Sequence, residues 1–188
     1  MNTLKPMTTE EVLALFEDQN LDDFRKEAAL HEELWAEAET YIDLPPQNWP
    51  PLIFNWDFKA ESQHLALDGV KPTDFKLYYP YGFRLGWVQF IEFDNKLCHF
   101  SRRDGNDELW NLGFKSSLAR VIVHLSRGLP ITPPLVGINS VGELCIFGGH
   151  HRYAAVKATQ YAELLPIYFE PLDYDSINNL VTLKCDAP

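Results

Sequence analysis

Residues 147–158 read Phe-Gly-Gly-His-His-Arg-Tyr-Ala-Ala-Val-Lys-Ala. Ahead of the glycines, Leu144, Cys145, Ile146 and Phe147 form a short apolar run that predicts a buried strand. At Gly148 and Gly149 the missing Cβ permits a sharp turn and a close approach of a ligand to the backbone. From His150 onward, Tyr153, Ala154, Ala155, Val156 and Ala158 predict a helix. His150, His151 and Arg152 then occupy its first turn, where unpaired N–H groups meet the positive end of the helix dipole. Backbone donors, two imidazoles and a guanidinium in one concavity suit a phosphate. The competing reading is a polar helix start with Arg152 in a surface ion pair.

The flanks extend the pattern. Residues 129–138, Leu-Pro-Ile-Thr-Pro-Pro-Leu-Val-Gly-Ile, predict an extended segment. A hairpin-like turn is expected from Asn139 to Glu143, ahead of the strand and the diglycine. After the helix, Leu165 to Phe169 predicts a returning strand. Between Lys115 and Arg127 a further helix is expected, with Leu118, Val121, Ile122 and Leu125 on one side.

This order of proline segment, strand, hairpin, strand, Gly-x-x-Arg box, helix and strand resembles the ParB/sulfiredoxin superfamily. Gly149-His150-His151-Arg152 is similar to the ParB-type box, and residues 147–155 to the sulfiredoxin active-site box. The resemblance spans Leu112 to Pro171. It implies a ParB/sulfiredoxin-like mixed sheet with flanking helices. It also implies nucleotide chemistry, with His150, His151 and Arg152 catalytic and Gly148 and Gly149 holding the nucleotide. The helix ahead of the proline segment holds phosphates in the superfamily, so Lys115, Ser116, Ser117 and Arg120 are carried over as candidates. His150 stands where sulfiredoxins have their nucleophilic cysteine, and a thiolate is what that reduction requires. Sulfiredoxin activity is therefore not expected. Cys145, five positions earlier, reads as a small buried hydrophobe.

Within the superfamily the length, the cysteine-free box and the helical front are most similar to small fertility-inhibition proteins of conjugative plasmids. That likeness implies hydrolysis of ATP, with Mg2+, and cleavage of DNA. It implies action on the transferred DNA strand at a type IV secretion channel, in the bacterial cytoplasm. The alternative is a non-catalytic, nucleotide-gated inhibitor that binds DNA or protein. His151 is expected to face the phosphate, and His150 the attacked atom or a metal-bound water. Glu143 or Asp107 would assist a magnesium ion only if the fold brings one of them near. As Arg152 opens a helix, its replacement by alanine is expected to remove hydrolysis and leave the fold intact.

A chain of 188 residues with 46% hydrophobic and 13% aromatic residues can build a sizeable core. No apolar run reaches the length of a membrane helix, and the first residues lack a secretory pattern. Three cysteines at wide spacing read as free thiols in a reducing compartment. A net charge of −11 opposes broad nucleic-acid binding unless positive charge is local. Such charge gathers in the later half, at Arg102, Arg103, Lys115, Arg120, Arg127, Arg152 and Lys157. The loop carrying Arg102 and Arg103 is the candidate DNA contact.

The expected fold class is α+β. Residues 1–51 form a helical extension with a Pro-rich connector, and residues 52–188 form the main domain, the two making one unit. Thr8 and Glu11 have capping-box spacing ahead of Val12, Leu13, Leu15 and Phe16. Asn20 is expected to cap a second helix whose stripe runs through Phe24, Ala28, Trp35, Ala38 and Ile42. Its glutamates, Glu32, Glu33, Glu37 and Glu39, read as a solvated face. Pro45 to Pro51 is expected to end that helix. Phe54, Trp56 and Phe58 alternate like a strand, and Asp94-Asn95-Lys96 reads as a hairpin turn between strands at 90–93 and 97–100. The aromatic run from Lys76 to Tyr81 is expected on a packed sheet face, with base stacking as the alternative. A short amphipathic helix is expected from Asp175 to Cys185.

Overall fold

A computed structural model describes residues 8, 20–67, 70–104, 106–111, 113–160 and 163–185. The Thr8–Glu11 capping box and its apolar partners fall largely outside these residues. Asn20 does cap a helix: its Oδ1 accepts the N–H of Asp22 at 2.9 Å, satisfying one unpaired donor at the start of α1 (Leu21–Glu39). The proline-rich connector follows as a single 3-10 turn, Pro46–Asn48.

The chain is α+β, with one mixed five-stranded sheet. Its strands are β2 (Arg84–Gln89), β4 (Leu135–Ile138), β5 (Leu144–Gly148), β6 (Leu164–Phe169) and β7 (Leu183–Lys184), in the order β5-β4-β6-β2-β7. A separate parallel pair joins β1 (Asn55–Trp56) to β3 (Pro130–Ile131). The predicted hairpin is present between β4 and β5. Asn139 closes it, its Oδ1 accepting the N–H groups of Val141 (3.1 Å) and Glu143 (2.8 Å). β4 and β6 are parallel neighbours, and β2 is antiparallel to both β6 and β7. Residues 165–169 of β6 are all buried, as expected of a central strand covered on both faces.

Two helices set the site. They are α5 (Lys115–Ser126) and α6 (His150–Thr159), and both match expectation within a residue or two. Their company comprises α2 (Pro72–Tyr78), α3 (Phe90–Lys96), α4 (Asn106–Trp110) and α7 (Tyr174–Asn178). On α6, Tyr153, Ala155 and Val156 pack on the sheet, while Ala154 packs against Leu118, Ala119 and Ile122 of α5. The alanines let α5 and the sheet approach from opposite sides, so α6 is buried almost all round and shows little amphipathic patterning. The other face of α5 receives α1 through Leu34 and Ala38, with Ile42 just beyond its end. The described part of the extension therefore packs on the main domain. Ala28 and Trp35 of the expected stripe are exposed or nearly so.

Four local expectations are corrected. Residues 90–96 form helix α3 rather than a strand and turn, because Phe93 is buried and Asp94 is held by Tyr153 and Lys157 on α6. Residues 72–78 are helical too. Pro72 starts α2, which buries Phe75 and leaves Leu77, Tyr78 and Tyr81 exposed instead of placing them on a sheet. The Phe54–Phe58 alternation yields only the two-residue β1. The C-terminal segment divides into α7 and β7, with Ile177, Val181 and Leu183 buried. In each segment a few long-range contacts outweigh a short local pattern.

Candidate functional site

The diglycine turn is built for packing. Gly148 ends β5 directly beneath the 3-10 segment Ala60–Ala66, and a Cβ placed there would stand 2.1 Å from Ala66 O. The close backbone approach expected at this glycine is thus made to the chain itself. Gly149 has φ +83°, the left-handed conformation that glycine adopts without a Cβ penalty. There it caps α6, its carbonyl accepting the N–H of Tyr153 at 3.0 Å.

Arg152 is buried, at 6% exposure, which corrects the surface ion pair and removes the ground for expecting its loss to leave the fold intact. Its Nη1 donates to Leu65 O (3.3 Å), Thr132 O (3.0 Å) and Thr132 Oγ1. Its Nη2 donates to Ala66 O (3.0 Å). The guanidinium thereby joins α6 to the 3-10 segment and to the proline segment before β4. A buried cation bonded to carbonyls offsets its desolvation with oriented dipoles.

Beside this pin lies a cavity of about 720 Å³. One wall is a face of α5, formed by Ser117, Arg120, Val121 and His124, with Gly113 and Phe114 at its opening end. The opposite wall is His151 and Arg152 on α6, and Leu65, Pro130, Ile131 and Thr132 complete the lining. Ser117 on the opening turn of α5 and His151 and Arg152 on that of α6 border the space, so the dipoles of both helices add positive potential there. Arg120 is fixed in place: its guanidinium carbon lies 4.4 Å from the Trp35 ring centroid, Nε donates to Ser116 O and Nη2 to Ser117 Oγ, both at 3.3 Å. His124 Nε2 donates to Pro130 O at 2.7 Å, so that nitrogen carries the proton.

The fold therefore brings together Ser117, Arg120, His151 and Arg152 from the sequence-derived set. It leaves the others outside the lining. Lys115 points to Asp43, 2.7 Å away. Ser116 contributes its carbonyl to Arg120. His150 heads α6 but is not among the lining residues, and neither are Gly148 and Gly149. Phe114, His124, Leu65 and Thr132 belong to the lining and were missed. Ser117, Arg120 or Val121, and His124 recur at helical steps, a face that the sequence did carry. Leu65 and Thr132 arrive only through long-range packing.

The expected basic patch is largely neutralised. Arg102 pairs with Asp104 (2.7 Å), Arg127 with Glu33 (3.0 Å) and Glu37 (2.5 Å), and Lys157 with Asp94 (2.8 Å) and Asp104 (3.3 Å). Glu33 and Glu37 are thus partners of α5's end as well as a solvated face. The hydrogen bond from Arg102 holds the Asp104 carboxyl below the usual range. Arg103 Nη1 donates to Arg102 O at 2.8 Å.

Among the described residues, the lining contains no carboxylate, and Glu143 sits in the β4–β5 turn, where it accepts from Asn139 Nδ2 at 3.0 Å. The Asp107 side chain lies outside the described residues. Among the described residues, no group of three or more His, Cys, Asp or Glu could hold a metal ion, and no helix is long and apolar enough to cross a membrane. Among the described residues, the donor set of the lining does not fit a resident magnesium ion.

The class that these observations define is an α+β domain with an anion-suited cavity between two helices and a mixed sheet. No family model, curated protein or solved structure matches the chain.

Proposed function

We propose that the chain is a nucleotide-binding phosphohydrolase of the ParB/sulfiredoxin type, taking ATP with its Mg2+ and cleaving DNA. The observation that carries this reading is the convergence of Ser117 and Arg120 from α5 with His151 from α6 around one cavity. Its volume of about 720 Å³ falls within the range of small-molecule sites. Arg120 supplies charge to phosphoryl oxygens, and the two helix starts supply backbone donors. His151 is the group suited to take the proton of an attacking water, since imidazole is the side chain most often used for general base work. Apolar lining from Leu65, Phe114, Val121 and Ile131 offers surface for a base. Phosphoryl transfer depends chiefly on positioning and charge neutralisation, and a small set of fixed cations suffices for both.

The chain resembles Osa, a plasmid fertility-inhibition protein, and by that likeness its role is to block DNA transfer through a type IV secretion system. DNA would be met at the loop of Arg102 and Arg103. Since Arg102 is engaged by Asp104, contact there must exchange one ion pair for another. A second reading is a nucleotide-gated, non-catalytic inhibitor of DNA or protein. It is favoured by Arg152, whose Nη donors are spent on carbonyls and whose ties a bound anion would rearrange.

Phosphate release and plasmid nicking measured side by side test the proposal. Arg120→Ala is expected to lower ATP turnover at least ~100-fold, the loss typical of one charge-stabilising group. Lys115→Ala, outside the cavity, is expected to leave turnover unchanged. Equal activity of Arg120→Ala and the parent would remove the site. Nucleotide binding without turnover in the parent would select the second reading.

A further inference from the structure

Cys98 and Cys145 stand 47 positions apart in sequence and outside the cavity. Both side chains are buried, and their Sγ atoms lie 2.7 Å apart, inside ordinary van der Waals contact. Their backbones are neighbours as well. Cys98 N–H donates to Leu144 O at 2.8 Å, and Leu97 and Leu144 form an isolated parallel bridge. Ser101 Oγ serves both strands of this contact, accepting from Cys98 Sγ at 3.4 Å and from Ile146 N–H at 3.0 Å. The two thiols are thus held together by backbone pairing at Leu144 on one side and by the Ser101 hydroxyl on the other.

We infer that Cys98 and Cys145 form a reversible dithiol–disulfide pair, an oxidation site that clips edge strand β5 to the segment following α3. The oxidant is a peroxide. The Cys98 thiolate attacks one peroxide oxygen, the O–O bond breaks, and Cys98 becomes a sulfenic acid as hydroxide leaves and takes up a proton to form water. The Cys145 sulfur then attacks the Cys98 sulfur, the S–O bond breaks, and the hydroxyl departs as a second water with the proton released from Cys145. Two thiols are oxidised by two electrons and the peroxide is reduced to two waters.

The surroundings divide the roles. Burial pushes the Cys98 thiol up, but hydrogen bonds donated to its thiolate by Cys145, by the Ser101 hydroxyl (an acceptor that turns donor once the thiol ionises) and by the backbone outweigh it and hold the group below its ordinary value. Burial, and then the bond to Cys98, push Cys145 up to about 12. Cys98 is accordingly the attacking thiolate and Cys145 the resolving thiol. Access needs only local opening, because β5 lies at the edge of the sheet.

The test uses the full chain, reduced, treated with hydrogen peroxide, alkylated and digested without reductant. The expected result is a Cys98–Cys145 linked peptide pair that dithiothreitol removes. The melting temperature of the oxidised form should rise by about 5–10 °C, since a long loop is closed in the unfolded chain. A Cys185→Ser chain should behave identically, and Cys98→Ser should lose the link. Recovery of both cysteines alkylated, oxidation of either to sulfinic acid without a link, or a link through Cys185 would each overturn the inference. If Cys98→Ser fails to fold, the peptide map of the parent chain decides alone.

Discussion

Arg152 shows how one residue in a short motif can serve two ends. Its place in the first turn of a helix suggested an exposed anion clamp, yet the side chain is buried and bonded to the carbonyls of Leu65, Ala66 and Thr132. Arg152→Ala is therefore expected to destabilise the fold by about 2–4 kcal/mol, because those carbonyls lose their donors inside the protein. Urea unfolding checks this, and an unchanged midpoint would refute the pin. Loss of turnover in that variant alone says nothing of catalysis, which is why Arg120 is the informative position for activity. Gly148 makes the same point for backbone. Gly148→Ala would place a methyl 2.1 Å from Ala66 O, and overpacking against backbone is expected to cost at least ~2 kcal/mol. Thermal denaturation of this variant should show a lower midpoint even with Arg152 intact.

Among the elements, α5 and α6 were legible because each carries a long apolar pattern and, for α6, a glycine stop before it. α3 was not, since seven residues between a strand and a bridge offer too little periodicity to oppose the turn-like Asp94-Asn95-Lys96. What settles it is Asp94, gripped by Tyr153 and Lys157 from α6. The packing of α1 was legible only in part. Leu44 O accepts both the Trp49 indole (2.9 Å) and the Trp110 indole (3.1 Å), and the two rings meet edge to face at 6.1 Å. This clasp holds the end of the extension against α4 and α5. Trp110→Phe keeps most of the ring packing and loses one bond, for a cost of about 1 kcal/mol. Faster hydrogen exchange in α1 than in β6 should follow; uniform exchange across the chain would show that the clasp carries no local stability.

Across the whole molecule, Arg102, Lys115, Arg127 and Lys157 are paired with carboxylates, whereas Arg120 in the cavity wall stacks on Trp35 and bonds to Ser116 and Ser117. Buried tyrosines set the alkaline limit of the fold. Burial, and then the charge of Asp57, push Tyr168 up to about 12 from an ordinary 10.0, and burial followed by Asp94 raises Tyr153 as well. An acid whose folded pKa is raised keeps its neutral form in the fold, so its contribution is full below pH ~10 and is lost as pH rises through the folded value. Stability should fall from pH ~10 upward, and Tyr168→Phe should make that decline shallower; equal slopes in denaturant titrations would exclude Tyr168 as a source. The sequence by itself determined the α+β class, the β4–β5 hairpin, α5, α6 and the glycine turn, since hydrophobic periodicity and φ freedom are local properties. Only the tertiary structure decided which polar side chains share a cavity and which are consumed in packing. Ser117 and His151 converge, Lys115 turns to Asp43 and Arg152 turns inward, because each outcome depends on a partner tens of residues away that no local pattern encodes.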